Sequence, residues 1–274
     1  MHPLDGAFLK LKWADHQLKV LNQAIQAWRD KQPYKVVGNP VTEGYVQKHL
    51  FTVQENVPIP SDFNLIVGDV CNSARSVLDY ILWQLHLLKN PAFDENVTFP
   101  VFDFYDGRDG KHGFKFRAAR SIRDLRTNQQ TLVESVQPYH AGYEALSFLR
   151  DLNNGDKHRV IQVLGLSART GNFGLETFKG HPAVGPVQYR IAERVEVKQG
   201  AILAELLFPP DFVWDKVGVY GDFEFTMAFR GSKTADGRNI ETTLRDCIAA
   251  VRDVLFTFEP EFFCYGYSSY NGWA

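Results

Sequence analysis

The chain has 274 residues, 45% hydrophobic and 23% charged, with a formal net charge of −2. That is enough apolar material for a large core, and the near-neutral balance excludes a protein that holds nucleic acid by overall basicity, leaving only a local patch. Three scattered cysteines (Cys71, Cys247 and Cys264) form no C-x-x-C pair, which argues against a disulfide framework and for a reducing cytoplasm. Residues 1–5 show no basic stretch leading into an apolar run, and no apolar run nears the ~20 residues that span a bilayer.

Residues 5–31 predict a long amphipathic helix. Phe8, Leu11, Ala14, Leu18, Leu21, Ile25 and Trp28 recur at steps of three and four, and Pro33 ends the pattern. Residues 34–37 and 45–53 predict a hairpin turning at Gly38, Asn39 and Pro40. After Pro58 and Pro60, Ser61 or Asp62 is placed to cap a helix over residues 62–88. Its apolar arc is Ile66, Val70, Ala74, Val77, Leu78, Ile81 and Leu85, with Asn72, Arg75, Asp79 and His86 opposite.

Residues 89–113 read as a long irregular segment, and residues 114–136 as a helix with Phe116, Ala119, Ile122 and Leu125 on one side. Two short helices, 141–152 and 156–166, are expected around a turn at Asn153, Asn154 and Gly155. Beyond about residue 170 the pattern changes to strands. Residues 187–197 and 201–208 form a hairpin over Lys198, Gln199 and Gly200, and residues 217–229 form another strand. A helix capped by Asn239 follows, and then an aromatic tail over residues 262–273 that is a candidate self-association surface.

The fold expected is α+β: a helical bundle core with an antiparallel sheet from the C-terminal half, in one domain. The alternative is a helical domain over 1–166 and a β-rich domain over 167–274.

Two polar clusters carry the candidate chemistry. Arg75 and Asp79, one helical turn apart, can pair, with Asn72 and Ser76 beside them. In the second cluster Asp156 is placed to cap the helix after the turn, putting His158 in its first turn. There a phosphate could dock against Lys157 and Arg159, because a helix N-terminus favours anions. Opposed to this is a structural reading, in which the same residues form a buried polar network that fixes packing.

Asn72, Arg75, Ser76, Leu78 and Asp79, followed by Asp156, Lys157, His158 and Arg159, resemble a family of uncharacterised bacterial and phage proteins. That family carries an R-S-x-L-D helix and an N-x-D-K-H-R turn. Thr98, Phe99 and Pro100, and then Gln137, Pro138 and Tyr139, fit the same pattern, so the resemblance covers residues 62–165. It implies no particular activity. A more distant likeness is to HEPN ribonucleases, metal-independent RNA-cutting helical domains with an arginine and a histidine in one motif. Here Arg150 stands too far from His158, and Asn153 occupies the place of the arginine. That likeness implies His158 as acid/base, Arg75 and Lys157 as phosphate ligands and Asp79 as an orienting group, with Asn72, Asn153, Asp156 and Arg159 lining the site and no cofactor.

Residues 111–126 contain Lys111, Lys115, Arg117, Arg120, Arg123 and Arg126 against Asp124, with Phe114 and Phe116 interleaved. A basic face with aromatics can track a phosphate backbone and stack a base. An ordinary solvated helix face has the same composition. The expected function is therefore an RNA-binding protein or metal-independent ribonuclease, against a non-enzymatic binding or assembly module.

Overall fold

The computed structural model describes residues 2–106, 112–158, 162–177, 188–192, 196–210, 212, 214 and 217–265, with 156–158, 162–177, 217–218 and 264–265 described as backbone alone. The order is α1 (Asp5–Arg29), β1 (Tyr34–Glu43), β2 (Val46–Glu55), α2 (Asp62–Lys89), α3 (Phe114–Arg117), α4 (Ala119–Ile122), α5 (Thr127–Ser135) and α6 (Ala145–His158). Then come β3 (Gln162–Thr177), β4 (Gln188–Ile191), β5 (Ile202–Phe208), β6 (Val217–Arg230), α7 (Ile240–Phe258) and a 3-10 turn, Glu259–Tyr265. The fold is α+β.

The two long N-terminal helices obey their periodicity. All seven apolar positions expected of α1 are buried, and six of the seven in the α2 arc are, Ile66 being only partly covered. α2 departs from an ordinary amphipathic helix because Arg75 and His86, on its polar side, are buried too. It packs on α1, α6 and α7, and away from its ends its exposed positions fall in one stripe, Leu65, Asp69, Asn72, Tyr80 and Trp83. Ser61 occupies the N-cap position of α2 without a side-chain hydrogen bond, whereas Asn239 caps α7 by accepting from the Thr242 amide.

The four-stranded antiparallel sheet has the order β1-β2-β5-β4. It therefore draws half its strands from the N-terminal region, not all from the C-terminal half as expected. β3 and β6 form a separate antiparallel pair. Ser167, the alternative domain boundary, lies inside β3 opposite Thr226.

Three local expectations are corrected. The first hairpin turns at Gly44 and Tyr45, not at Gly38, Asn39 and Pro40, which stay in β1. Pro40 is tolerated because β1 is an edge strand, and Gly44 (φ +61°) supplies the left-handed conformation of a tight turn. The helix expected over 114–136 is broken into α3, α4 and α5. The Arg126 amide is taken up by the Gln129 side chain at the start of α5, and Phe116 is exposed while Phe114 is buried.

The third correction bears on function. Asn153, Asn154 and Gly155 make no turn, because α6 runs through them and residues 162–166 are strand. Breaking propensities of roughly 0.5–1 kcal/mol per residue lose to the burial of Leu146, Leu149, Leu152 and Asn153 along the helix.

Candidate functional site

Between α2 and α3 the chain crosses the polar side of α2 as a strap, residues 98–103, with neither helix nor strand to pair its backbone. Buried peptide groups need partners, and here side chains supply them. Asp79 Oδ1 accepts the Phe99 amide at 2.8 Å, while Arg75 Nη2 donates to the Phe99 carbonyl and to Asp79 Oδ1 at 3.1 Å. Gln137, fully buried, accepts the Phe102 amide through Oε1 at 3.0 Å. Its Nε2 donates to the Pro100 carbonyl at 2.9 Å and to the Val133 carbonyl at 2.8 Å. Arg150 Nη1 donates to the Val101 carbonyl at 3.2 Å, and its guanidinium holds both oxygens of Asp103, at 3.1 and 2.9 Å. The Ser147 hydroxyl also donates to Asp103.

The electrostatics follow the burial. Desolvation of the Arg75 guanidinium outweighs the favourable Asp79 charge, and with Arg150 nearby it lowers the Arg75 pKa. Burial by itself would raise the Asp103 carboxyl and lower Arg150. Their mutual hydrogen bonds and charges win, leaving Asp103 below and Arg150 above their ordinary values.

The strap delivers Tyr105 to the wall of a groove of about 750 Å³. The Phe104 carbonyl accepts the Phe114 amide and the Tyr105 carbonyl accepts the Lys115 amide, both at 3.0 Å, tying the strap to α3. The groove is lined by Tyr105, Phe114, Lys115, Ala118, Ala119, Ile122 and Arg123 on one side and by Thr127, Gln130, Thr131 and Glu134 of α5 on the other. Lys115, Arg117, Arg120, Arg123 and Arg126 are all exposed, as are Phe104, Tyr105 and Phe116. Their ion pairs at the surface are loose: Lys115 to Asp106 at 3.5 Å and Arg123 to Asp124 at 3.4 Å.

Glu134, one of the lining residues, is held by two neighbours. Its Oε1 accepts the Tyr139 hydroxyl at 3.0 Å and lies 2.9 Å from His140 Nε2, which must carry its hydrogen there because a carboxylate only accepts. Burial, then the bond to Glu134, pushes the Tyr139 hydroxyl up, so it remains a donor. Sequence reasoning passed over Glu134 and His140. Their six-residue separation across a turn matches no periodic pattern.

The other expected site residues are placed as follows. Arg75 is 7% exposed and turned to the strap. Asn72 is exposed, and its carbonyl accepts the Ser76 hydroxyl. The cleft of about 370 Å³ beside Asp79 is also walled by Glu95, Tyr80 and Trp83, and two carboxylates disfavour a phosphate there. Asn153 is buried inside α6. The backbone of Asp156, Lys157 and His158 continues α6 rather than opening another helix, so these residues do not form the helix N-terminus expected to hold an anion. Their side chains, and Lys111 and Arg159 entirely, lie outside the described residues.

His86, on the polar side of α2, lies flat on Phe93 and is within 2.9 Å of the Ser121 carbonyl. Among the described residues no group of His, Cys, Asp and Glu could hold a metal ion, and no helix is long and apolar enough to cross a membrane. In the C-terminal tail Phe262 is buried and Phe263 partly exposed, while residues 266–273 lie outside the described residues.

Comparison with protein-family models, with curated proteins and with solved structures finds no match to this chain.

Proposed function

We propose that this chain binds single-stranded RNA through the groove between α3, α4 and α5, and that the Arg75, Asp79, Gln137 and Arg150 network is the architecture that builds the groove wall. One observation carries this reading: the exposed cations Lys115 and Arg123 and the exposed ring of Tyr105 share a single groove, though the chain as a whole is slightly acidic. Lys115 and Arg123 track the phosphates and Tyr105 offers a stacking face, which suits unpaired bases. The cytoplasm is the compartment this reading implies.

Binding is favoured over cleavage because Arg75 is committed to the strap and Lys157 and His158 continue α6 rather than opening a helix. The resemblance to the uncharacterised bacterial and phage family fits an architectural role for its first half. Arg75, Asp79, Phe99, Pro100 and Gln137 belong to one hydrogen-bonded unit.

The test is fluorescence anisotropy of a labelled oligouridylate titrated with the full chain at several salt concentrations. Binding is expected with log Kd linear in log salt. The Lys115→Glu, Arg123→Glu double variant is expected to weaken it at least tenfold and flatten the slope by about 0.7 for each phosphate no longer neutralised. Unchanged affinity in the double variant sinks the reading. Cleavage of the oligomer that disappears in His158→Ala replaces it with the ribonuclease.

A further inference from the structure

Glu134 is out of keeping with the rest of the groove. The other charged liners, Lys115 and Arg123, attract a phosphate, and a carboxylate repels one. Its position is nevertheless set from two sides, by the Tyr139 hydroxyl and His140 Nε2 on the same oxygen, Oε1. Those bonds take up the two lone pairs of Oε1 and leave the acceptor capacity of Oε2. A fixed carboxylate in a polyanion-binding groove makes chemical sense where the ligand presents N–H donors rather than phosphate oxygens.

The bases differ sharply on this point. Guanine places N1–H and the N2 amino group side by side, two donors within reach of one carboxylate oxygen. Adenine and cytosine set one amino group beside a ring acceptor. Uracil flanks its single N3–H with two carbonyls, which a carboxylate repels. The Tyr105 ring, stacked near-parallel on Phe114 at 6.4 Å and meeting Tyr139 edge-on at 6.4 Å, lies between the strap and the Glu134 cluster as a platform for a base.

We infer that the groove is specific for guanine, with Glu134 accepting from the base's N1–H and N2–H edge while Lys115 and Arg123 hold its phosphate. This rests on the reading of the groove as a nucleotide-binding surface and adds its specificity. A free guanine nucleotide and a guanosine within RNA share this chemistry, and the test separates them.

The experiment measures Kd for guanosine and uridine monophosphate, and for two heptamer RNAs, all-uridine and uridine with one central guanosine, on the full chain. Guanosine is expected to bind about tenfold more tightly than uridine, the discrimination of one good carboxylate-to-base contact. The same ratio between the heptamers assigns the site to RNA, and a ratio confined to the mononucleotides assigns it to the free nucleotide. Glu134→Gln should bring the guanosine-to-uridine ratio to about one. Lys115→Ala should weaken both ligands equally and preserve the ratio. Equal Kd values for guanosine and uridine on the unaltered chain overturn the specificity and leave the groove standing, a result that needs no variant to fold. Binding of none of the four ligands overturns both.

Discussion

Arg75 with Asp79 and Arg123 with Asp124 are two arginine–aspartate pairs of nearly equal length, 3.1 and 3.4 Å. The Arg75 side chain is 8% exposed and the Arg123 side chain 75%. The first pair lies under the strap and spends its polarity on the Phe99 peptide. The second lies at the groove with water on most sides, where an ion pair contributes ~0–1 kcal/mol. The same residue types are therefore structural in one region and available to a ligand in the other. Burial decides which: a desolvated charge must be satisfied inside the protein, whereas a hydrated one can exchange water for a phosphate.

If that contrast is right, substitutions in the two regions separate stability from binding. The largest loss is expected from Arg75→Ala, which takes the donor from the Phe99 carbonyl and the opposing charge from Asp79. The unpaired Phe99 carbonyl costs roughly 1–3 kcal/mol, and the cavity left by the buried Arg75 side chain adds to it. Asp79, one-third exposed, can be rehydrated, and the sum is read as a shift in the urea midpoint. A midpoint within error of the unaltered chain breaks the comparison at its root. Gln137→Leu comes next. It is close in volume but strips partners from the Phe102 amide and the Pro100 carbonyl, at roughly 1–3 kcal/mol for each group left unpaired.

A pH series sharpens the same point. The Asp103 carboxyl is held below its ordinary value in the fold, so the stability it adds is fully present above the unfolded value near 4 and drains away as pH falls through the folded value. The stability gap between the unaltered chain and Asp103→Asn should therefore be constant from neutral pH down to about 5 and shrink below about 4. A gap that does not change with pH would show that the carboxylate's charge contributes nothing. The smallest effect belongs to the groove, where Lys115→Glu with Arg123→Glu should leave stability within ~0.5 kcal/mol while RNA affinity falls. A large loss of stability there would mean that these exposed cations are structural after all.

How legible each region was in the sequence follows from the range of the forces that shape it. α1, α2, α7 and the antiparallel pairing of β4 with β5 were readable because apolar periodicity, alternation and the Asn239 cap act within a few residues. β4, however, spans Gln188–Ile191 rather than the whole of 187–197. The pairing of Arg75 with Asp79 was readable for the same reason, one turn of helix apart. Reading Asn153, Asn154 and Gly155 as a turn failed because local propensity was weighed without the packing of Leu149 and Leu152 that overrides it. That one error also misplaced His158 on its helix. The partners of the strap, Gln137 and Arg150, lie 35 and 47 residues from the groups they hold. No short-range pattern connects them.

By itself, then, the sequence determined the long amphipathic helices, the α+β class and the basic aromatic segment 111–126, because each is written in neighbouring residues. Only the tertiary structure decided that β1 and β2 join β5 in one sheet, that Arg75 faces a peptide rather than solvent, and that Glu134 and Tyr105 share a groove with Lys115 and Arg123. Those outcomes depend on which distant groups are desolvated together, and burial is a property of the packed chain.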